Sequence, residues 1–231
     1  MEGKNTLDIA ALVELKKKEL GQPDHAEIQC LEITLQSIAK RLNYCKYHYD
    51  QLIAHSDKKS LLIDRLHRSN PEIISIRTIY EANIVAFLQN LHSLIDSLPY
   101  AVNIIFRVVD DIESIHIDWK DDLINKYNSH DFFYALSDLH HDETFQKIKG
   151  FTNRTKHKHL IRIKNKIQRL VFEDFSYFHN KQRKTLKNQD VNSFIVDCHD
   201  NLIPKFLSLY NAVKASKERA LCDGESAQNQ S

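Results

Sequence analysis

The chain is poor in the residues that interrupt secondary structure, with 4 glycines and 4 prolines among 231 residues. Architectures with many tight turns need both residue types, so this scarcity argues against an all-β fold and favours long helices. The 4 cysteines, at positions 30, 45, 198 and 222, are scattered and form no CxxC pair. The sequence therefore indicates neither a zinc cluster nor a disulfide framework, and we expect no metal and no small-molecule cofactor.

Net charge and long apolar runs are also lacking. Lysine plus arginine totals 32 against 31 acidic residues, so no overall field draws the protein to nucleic acid or anionic lipid. Any contact with RNA would have to use a local basic patch. No charged-then-apolar leader opens the chain, and no run approaches the roughly 18 apolar residues that a membrane span needs. These features predict a cytoplasmic protein without a membrane partner.

The longest apolar pattern covers residues 71–106. Its apolar residues recur every three or four positions, from Tyr80 near the start to Ile105 near the end. This spacing predicts a central helix that is buried along one face. Pro99 lies inside the pattern and leaves the carbonyl of Ile95 without its helical partner. We therefore expect a kink or break at that point.

A second long helix is predicted over residues 24–55, where eight positions from Ile28 to Leu52 form a heptad seam. The seam could pack against another helix of the chain or against a second subunit. We expect the former, because Cys45 and Tyr49 replace further leucines in it. Helical spacing also predicts helices over 6–20 (ended by Gly21), 108–127, 131–139 and 190–221, the last with a kink at Pro204 or as two helices end to end.

These patterns together predict a mainly α fold, in which a bundle of long antiparallel helices surrounds a central apolar helix. Alternation of apolar residues allows a small β-hairpin near 160–176, with a turn at Asn165 and Lys166. We expect one helical domain over 1–222 and a disordered tail over 223–231, because the tail has nothing to bury.

Residues 140–143, HHDE, are of the types that bind metals. Adjacent histidines point in different directions on a helix, however, and the HExxH spacing of zinc peptidases is absent. A metal site here is an alternative and not our expectation.

The most basic stretch is 144–164, TFQKIKGFTNRTKHKHLIRIK, which also holds the turn-formers Gly150, Thr152 and Asn153. Within it, four residues separate Arg154 from His159. Positions five apart on one helix lie about 140° apart around its axis, so these two side chains converge only if a helix begins or ends between them. A second such pairing, Arg41 with His48, falls inside the heptad helix and looks like an ordinary flank of it.

An arginine followed by four to six residues and a histidine resembles the motif of the HEPN superfamily, a group of helical nucleotide-binding and ribonuclease domains. The similarity covers residues 71–165, including LHSLIDSL in the central helix and NRTKHKHL further on. It implies RNA binding or metal-independent RNA cleavage, in a system of the defence or toxin type. It also implies a homodimer whose motifs meet in a shared cleft.

The resemblance implies a role for each matching residue. Arg154 would hold the scissile phosphate, and His159 would act as general acid or base, with His157 as the alternative base. His92 and Asp96 would line the cleft and orient a histidine. Asn153, Lys156 and Lys158 would support the site. Thr155 departs from the family, which often has a small amide or acid after the arginine, and this departure bears on catalysis more than on fold.

The competing hypothesis is a non-catalytic interaction or scaffold protein that dimerises through its helices. In that case Arg154, Lys156 and Lys158 are solvated charges, and His159 is a partly buried helix residue. RNA is the expected partner under the first hypothesis, and a second copy of the chain is expected under both.

Overall fold

The computed structural model describes residues 7–21, 25–56, 71–166 and 169–228, and it confirms the predicted mainly α fold. In chain order the elements are α1 Ile9–Leu20, α2 Ala26–Ser56, α3 Pro71–Asp96, α4 Leu98–Phe106, α5 Asp121–Ile124, α6 Phe133–His140, α7 Glu143–His157, β1 Ile163–Lys166, β2 Arg169–Phe172, β3 Phe175–His179, β4 Gln182–Leu186, α8 Val191–Asp197 and α9 Ile203–Gln228. A 3₁₀ turn, Asn125–Tyr127, follows α5, and a π-helical turn, Cys198–Leu202, joins α8 to α9. Over these residues no helix is both long enough and apolar enough to cross a bilayer.

The described residues divide into two compact units. The first lies within 1–40, 94–140 and 205–231, and the second within 41–93 and 141–204. The helices α2, α3 and α9 contribute residues to both. The sequence predicted one domain over 1–222 without this division. All the elements named below as lining a groove belong to the second unit.

The central helix is interrupted close to Pro99, as predicted. Helix α3 ends at Asp96 and α4 begins at Leu98, with the proline in its first turn. The carbonyl of Ile95, which loses its helical donor to the proline, accepts instead from the indole Nε1–H of Trp119 at 3.0 Å. Trp119 is 3 % exposed, so this hydrogen bond lies inside the first unit. A buried carbonyl needs such a partner, which explains why the break is tolerated in the core.

The heptad seam of α2 is largely buried in this single chain, as predicted. Six of its eight positions are buried, namely Ile28, Leu31, Leu35, Ile38, Cys45 and Leu52, and the other two, Leu42 and Tyr49, are half-buried. Helix α1 ends at Gly21, also as predicted, with the left-handed φ of 64° that glycine adopts freely. The predicted start of the heptad helix at Asp24 lies outside the described residues.

The prediction of one helix over 108–127 is wrong for most of its length: the chain runs through turns between α4 and α5, and helical structure begins again only at Asp121. Arg107 adopts φ 50° and ends α4. The buried amide of Asn103 then holds Val109 through two hydrogen bonds, of 3.0 and 2.9 Å. The side chains of Asp111 and Ser114 each accept from a backbone N–H two residues on. Such local bonds compete with a helix and override the apolar spacing.

The described residues form two hairpins. Strand β1 pairs with β2 in antiparallel register, inside the range 160–176 predicted for one hairpin. Asn165 and Lys166 belong to β1 and do not form its turn, so that part of the prediction is wrong. The second hairpin, of β3 and β4, was not predicted. Its turn residues Asn180 and Lys181 have φ of 51° and 61°, the pair of positive values that a type I′ turn requires.

The C-terminal helical segment is divided near Pro204, as predicted. The α-helix α8 passes through one π turn into α9, whose second residue is the proline. A proline is tolerated there because its missing N–H falls close to a change of hydrogen-bond pattern. The tail predicted to be disordered is helical as far as Gln228.

Removal of the indole donor tests the hydrogen bond that replaces the helical one lost at Pro99. Trp119→Phe should lower the free energy of unfolding by about 1–3 kcal/mol, because the buried carbonyl of Ile95 loses its partner. Urea denaturation at neutral pH measures this difference. The control Tyr134→Phe deletes a hydroxyl from a residue that is 82 % exposed and should change stability by less than about 0.5 kcal/mol. Equal stability of Trp119→Phe and the wild type would show that the bond is dispensable.

Candidate nucleic-acid interface

Helix α7 provides one wall of the candidate site. The carboxylate of Asp142 caps its N-terminus by accepting from the backbone N–H of Phe145 at 3.0 Å. The apolar side chains of Phe145, Ile148 and Phe151 are buried, which leaves the basic residues of the helix on its open face. Gly150, Thr152 and Asn153, expected to form turns, lie within the helix. The apolar period of three to four residues outweighs their local preference.

Gly150 allows α7 to touch strand β3 directly. A Cβ atom at this position would lie 2.6 Å from the Cβ of Tyr177 and 3.2 Å from the carbonyl oxygen of Ser176. The first distance is too short for any real contact between carbon atoms. A glycine in a helix interior is unfavourable by itself, so its place here is explained by the close approach of the β3 backbone.

A groove of about 640 Å³ lies between α7 and the second hairpin. We call it the basic groove; its lining residues are Gln146, Lys149, Gly150, Asn153, Arg154, His157, Lys158, Ser176, Tyr177, Phe178 and Arg183. Four of these are lysine or arginine, and none of the described residues that line the groove is acidic. Low-dielectric walls lined by one sign of charge concentrate the field, so the groove attracts anions although the whole chain is nearly neutral.

The end of α7 brings Arg154 and His159 together. The helix stops at His157, and the backbone N–H groups of Lys158 and His159 both donate to the carbonyl of Arg154, at 2.9 and 3.2 Å. The guanidinium then lies 3.2 Å from Nε2 of His159. An arginine only donates, so Nε2 of His159 is the acceptor in this contact. The condition derived from helix geometry, that a helix must end between the two residues, is met.

The other predicted site residues divide into three groups. His157, Asn153 and Lys158 line the basic groove with Arg154. Lys156 is exposed on the same helix but does not line the groove.

His92 and Asp96 lie elsewhere. His92 is buried, with its ring centroid 6.3 Å from that of Phe145. Asp96 lines a shallow pocket of the first unit beside Thr34 and Tyr100. Neither residue lines the basic groove: His92 lies on the buried face of α3, and Asp96 is exposed at the end of α3, in the first unit.

The second arginine–histidine pairing holds two helices together. Arg41 donates to the carbonyl of Ser93 at 2.7 Å, and Nδ1 of His48 lies 2.8 Å from the side-chain oxygen of Asn83. Both contacts connect α2 to α3. Packing therefore accounts for this pairing.

The histidines of the HHDE segment also make structural contacts. Nε2 of His140 lies 3.1 Å from a carboxylate oxygen of Asp121, and its ring stacks on Trp119 with an interplanar angle of 7°. The backbone carbonyl of His141 accepts from the ring of His179 at 3.2 Å.

The hairpin side of the basic groove was missed by the sequence analysis. Its position is held by Tyr177, whose hydroxyl donates to the carboxylate of Glu143 at 2.5 Å. This bond lowers the pKa of Glu143, while burial and the bond raise the pKa of Tyr177. The proton therefore stays on the tyrosine at neutral pH. The alternation in FSYFH, followed by the asparagine at position 180, was the available signal, since asparagine tolerates the left-handed backbone of a tight turn.

Comparison of the chain with protein-family models, with curated proteins and with solved structures found no match.

The close contact at Gly150 gives a direct test of how the groove is built. Gly150→Ala should destabilise the protein, although alanine favours a helix by about 1 kcal/mol over glycine, because its Cβ meets the β3 backbone. Thermal unfolding followed by circular dichroism measures the effect. The control Lys156→Ala changes an exposed residue of the same helix and should shift stability by less than about 0.5 kcal/mol. A more stable Gly150→Ala variant would contradict the contact.

Proposed function

We propose that this chain is an RNA-binding protein that cleaves RNA without a metal ion, using Arg154 and His159 at the basic groove. The observation that carries the proposal is their approach to 3.2 Å at the end of α7, beside a groove lined by four cations and by no acidic residue among those described. The resemblance of this segment to the HEPN motif supports the same assignment.

The charge of the groove favours a polyanion. Lys149, Arg154, Lys158 and Arg183 can each meet a phosphate, and arginine can do so with two parallel N–H donors. Each phosphate contact by a cation releases counterions, so RNA affinity should fall steeply as salt rises.

The proposed reaction uses the ribose 2′-hydroxyl. His159 removes its proton, the 2′ oxygen attacks the neighbouring phosphorus, and the bond from phosphorus to the 5′ oxygen breaks. The 5′ oxygen takes a proton from His157, which lines the groove one helical turn from Arg154. Arg154 leaves His159 to bind the phosphate oxygens, where charge accumulates. The products are a 2′,3′-cyclic phosphate and a free 5′-hydroxyl.

Cleavage in the presence of excess chelator tests the proposal. The double variant Arg154→Ala/His159→Ala should cut mixed RNA at least about 100-fold more slowly than the wild type, since a positioned acid or base contributes that much or more. Initial rates are measured on a labelled RNA pool.

The matched control is Arg219→Ala/His116→Ala, which removes the same two residue types from exposed positions in the first unit. This control should cut at the wild-type rate. Equal cleavage by the wild type and the Arg154/His159 variant, or cleavage by neither, would end the nuclease proposal.

The proposal includes a homodimer with a shared cleft, which the same resemblance implies. Size-exclusion chromatography with light scattering should report twice the 27.0 kDa of the single chain. The dimer should persist on dilution across the concentrations used for cleavage. A single-chain mass over that whole range would exclude a shared cleft and leave the groove of one chain to act alone.

A further inference from the structure

Strand β3 presents a phenylalanine ring to water at the basic groove. Phe178 is 64 % exposed, while its neighbours in the alternating pattern, Phe175 and Tyr177, are buried. Single exposed apolar residues are common and need no explanation. Phe178 differs because it lines the groove that also holds Lys149 and Arg183.

The register of the hairpin fixes the direction of this ring. Phe175 packs on Phe151 of α7 with ring centroids 6.0 Å apart, and Tyr177 is held by Glu143. Side chains alternate along a strand, so these two inward residues oblige Phe178 to point outward. Its partner across the hairpin is Arg183. Residues paired in this way share a face of the sheet, so a ring and a guanidinium stand side by side.

An aromatic face beside cations matches the chemistry of an unpaired nucleotide. The base stacks on the ring, and the phosphates on either side meet lysine and arginine. A duplex hides the faces of its bases within its own stack, so it offers Phe178 only a backbone. The carboxylates of an acidic peptide can pair with the lysines and arginines, but such a peptide has no flat base to stack on the ring of Phe178.

We propose that the basic groove binds single-stranded RNA, with one base stacked on Phe178 and the flanking phosphates on Arg183 and Lys149. This inference rests on the proposed function, since it takes the groove to be an RNA site. It adds a base-binding residue from β3, outside the segment 71–165 on which the family resemblance depends.

The test uses a fluorescent 2′-O-methyl oligoribonucleotide of about 10 nucleotides, a length suited to one single-strand site. Its blocked 2′ oxygens cannot attack phosphorus, so binding is measured without cleavage. Fluorescence anisotropy should show Phe178→Ala binding about 5- to 100-fold more weakly, the effect of losing one base stack. Phe178→Trp should bind at least as tightly as the wild type. Phe178→Leu should be as weak as the alanine variant, because leucine is apolar but has no π face.

The matched control Tyr134→Ala removes another exposed aromatic residue, from the first unit, and should leave the affinity unchanged. Thermal unfolding should be the same for all Phe178 variants, since the ring is exposed. Unchanged affinity of Phe178→Ala would overturn the inference, and so would full affinity of Phe178→Leu. Equal binding of a duplex, or equal competition by polyglutamate, would overturn it too.

The binding result and the cleavage result are independent. A protein that binds the blocked oligonucleotide through Phe178 but cuts no RNA would refute the catalytic roles of Arg154 and His159 and leave the base site standing. If the wild type cuts RNA but the Phe178→Ala variant binds the oligonucleotide as tightly as the wild type, the base site is refuted and the catalytic roles stand.

Discussion

Direct contact between the backbones of α7 and β3 is the constraint on which the basic groove depends. A side chain at position 150 would hold the hairpin away from the helix, because the place of its Cβ is already occupied by Tyr177. The hydrogen bond from Tyr177 to Glu143 fixes the strand along the helix. The edge-to-face contact of Phe151 with Phe175 closes the contact on its buried side. The open side is then left with the polar and basic residues of both elements.

The same contact explains how a nearly neutral chain contains a strongly basic surface. The acidic residues near the groove are engaged in the structure, since Asp142 caps α7 and Glu143 holds the hairpin. Glu173 forms an ion pair with Arg162, which lowers the pKa of its carboxyl to about 2. The cations that line the groove therefore face solvent without acidic neighbours among the lining residues described. Balanced composition conceals such a patch, because charge acts through its local arrangement.

Sequence reasoning recovered features set by the chain locally. Pro99 and Gly21 act through their own backbone chemistry, so the break between α3 and α4 and the end of α1 could be predicted. The path of the chain after Arg107 could not be predicted. The buried amide of Asn103 holds Val109 there by two hydrogen bonds, and no helix forms at that point. The hydrogen bond from Trp119 to the carbonyl of Ile95 could not be predicted either, since only the fold brings these two residues together.

The site itself was half predictable. The end of α7, where Arg154 meets His159, carries a motif, whereas Phe178 and Arg183 belong to a hairpin of short strands whose pattern is weak. His92 and Asp96 were misplaced for a physical reason. Both residues lie on α3, as predicted, but spacing does not reveal which side of a helix the other elements cover, and the structure buries His92 while it exposes Asp96. Burial decides that, and burial is a property of the folded chain.

The central claim is that nucleic acid binds at the end of α7, where Arg154 meets His159. Proton NMR of the histidine rings during titration with a blocked single-stranded oligonucleotide addresses it most directly. The account predicts that the ring signals of His157 and His159 shift on binding, while that of the exposed His116 in the other unit stays in place. Binding that moves His116 and leaves His157 and His159 unchanged would contradict it.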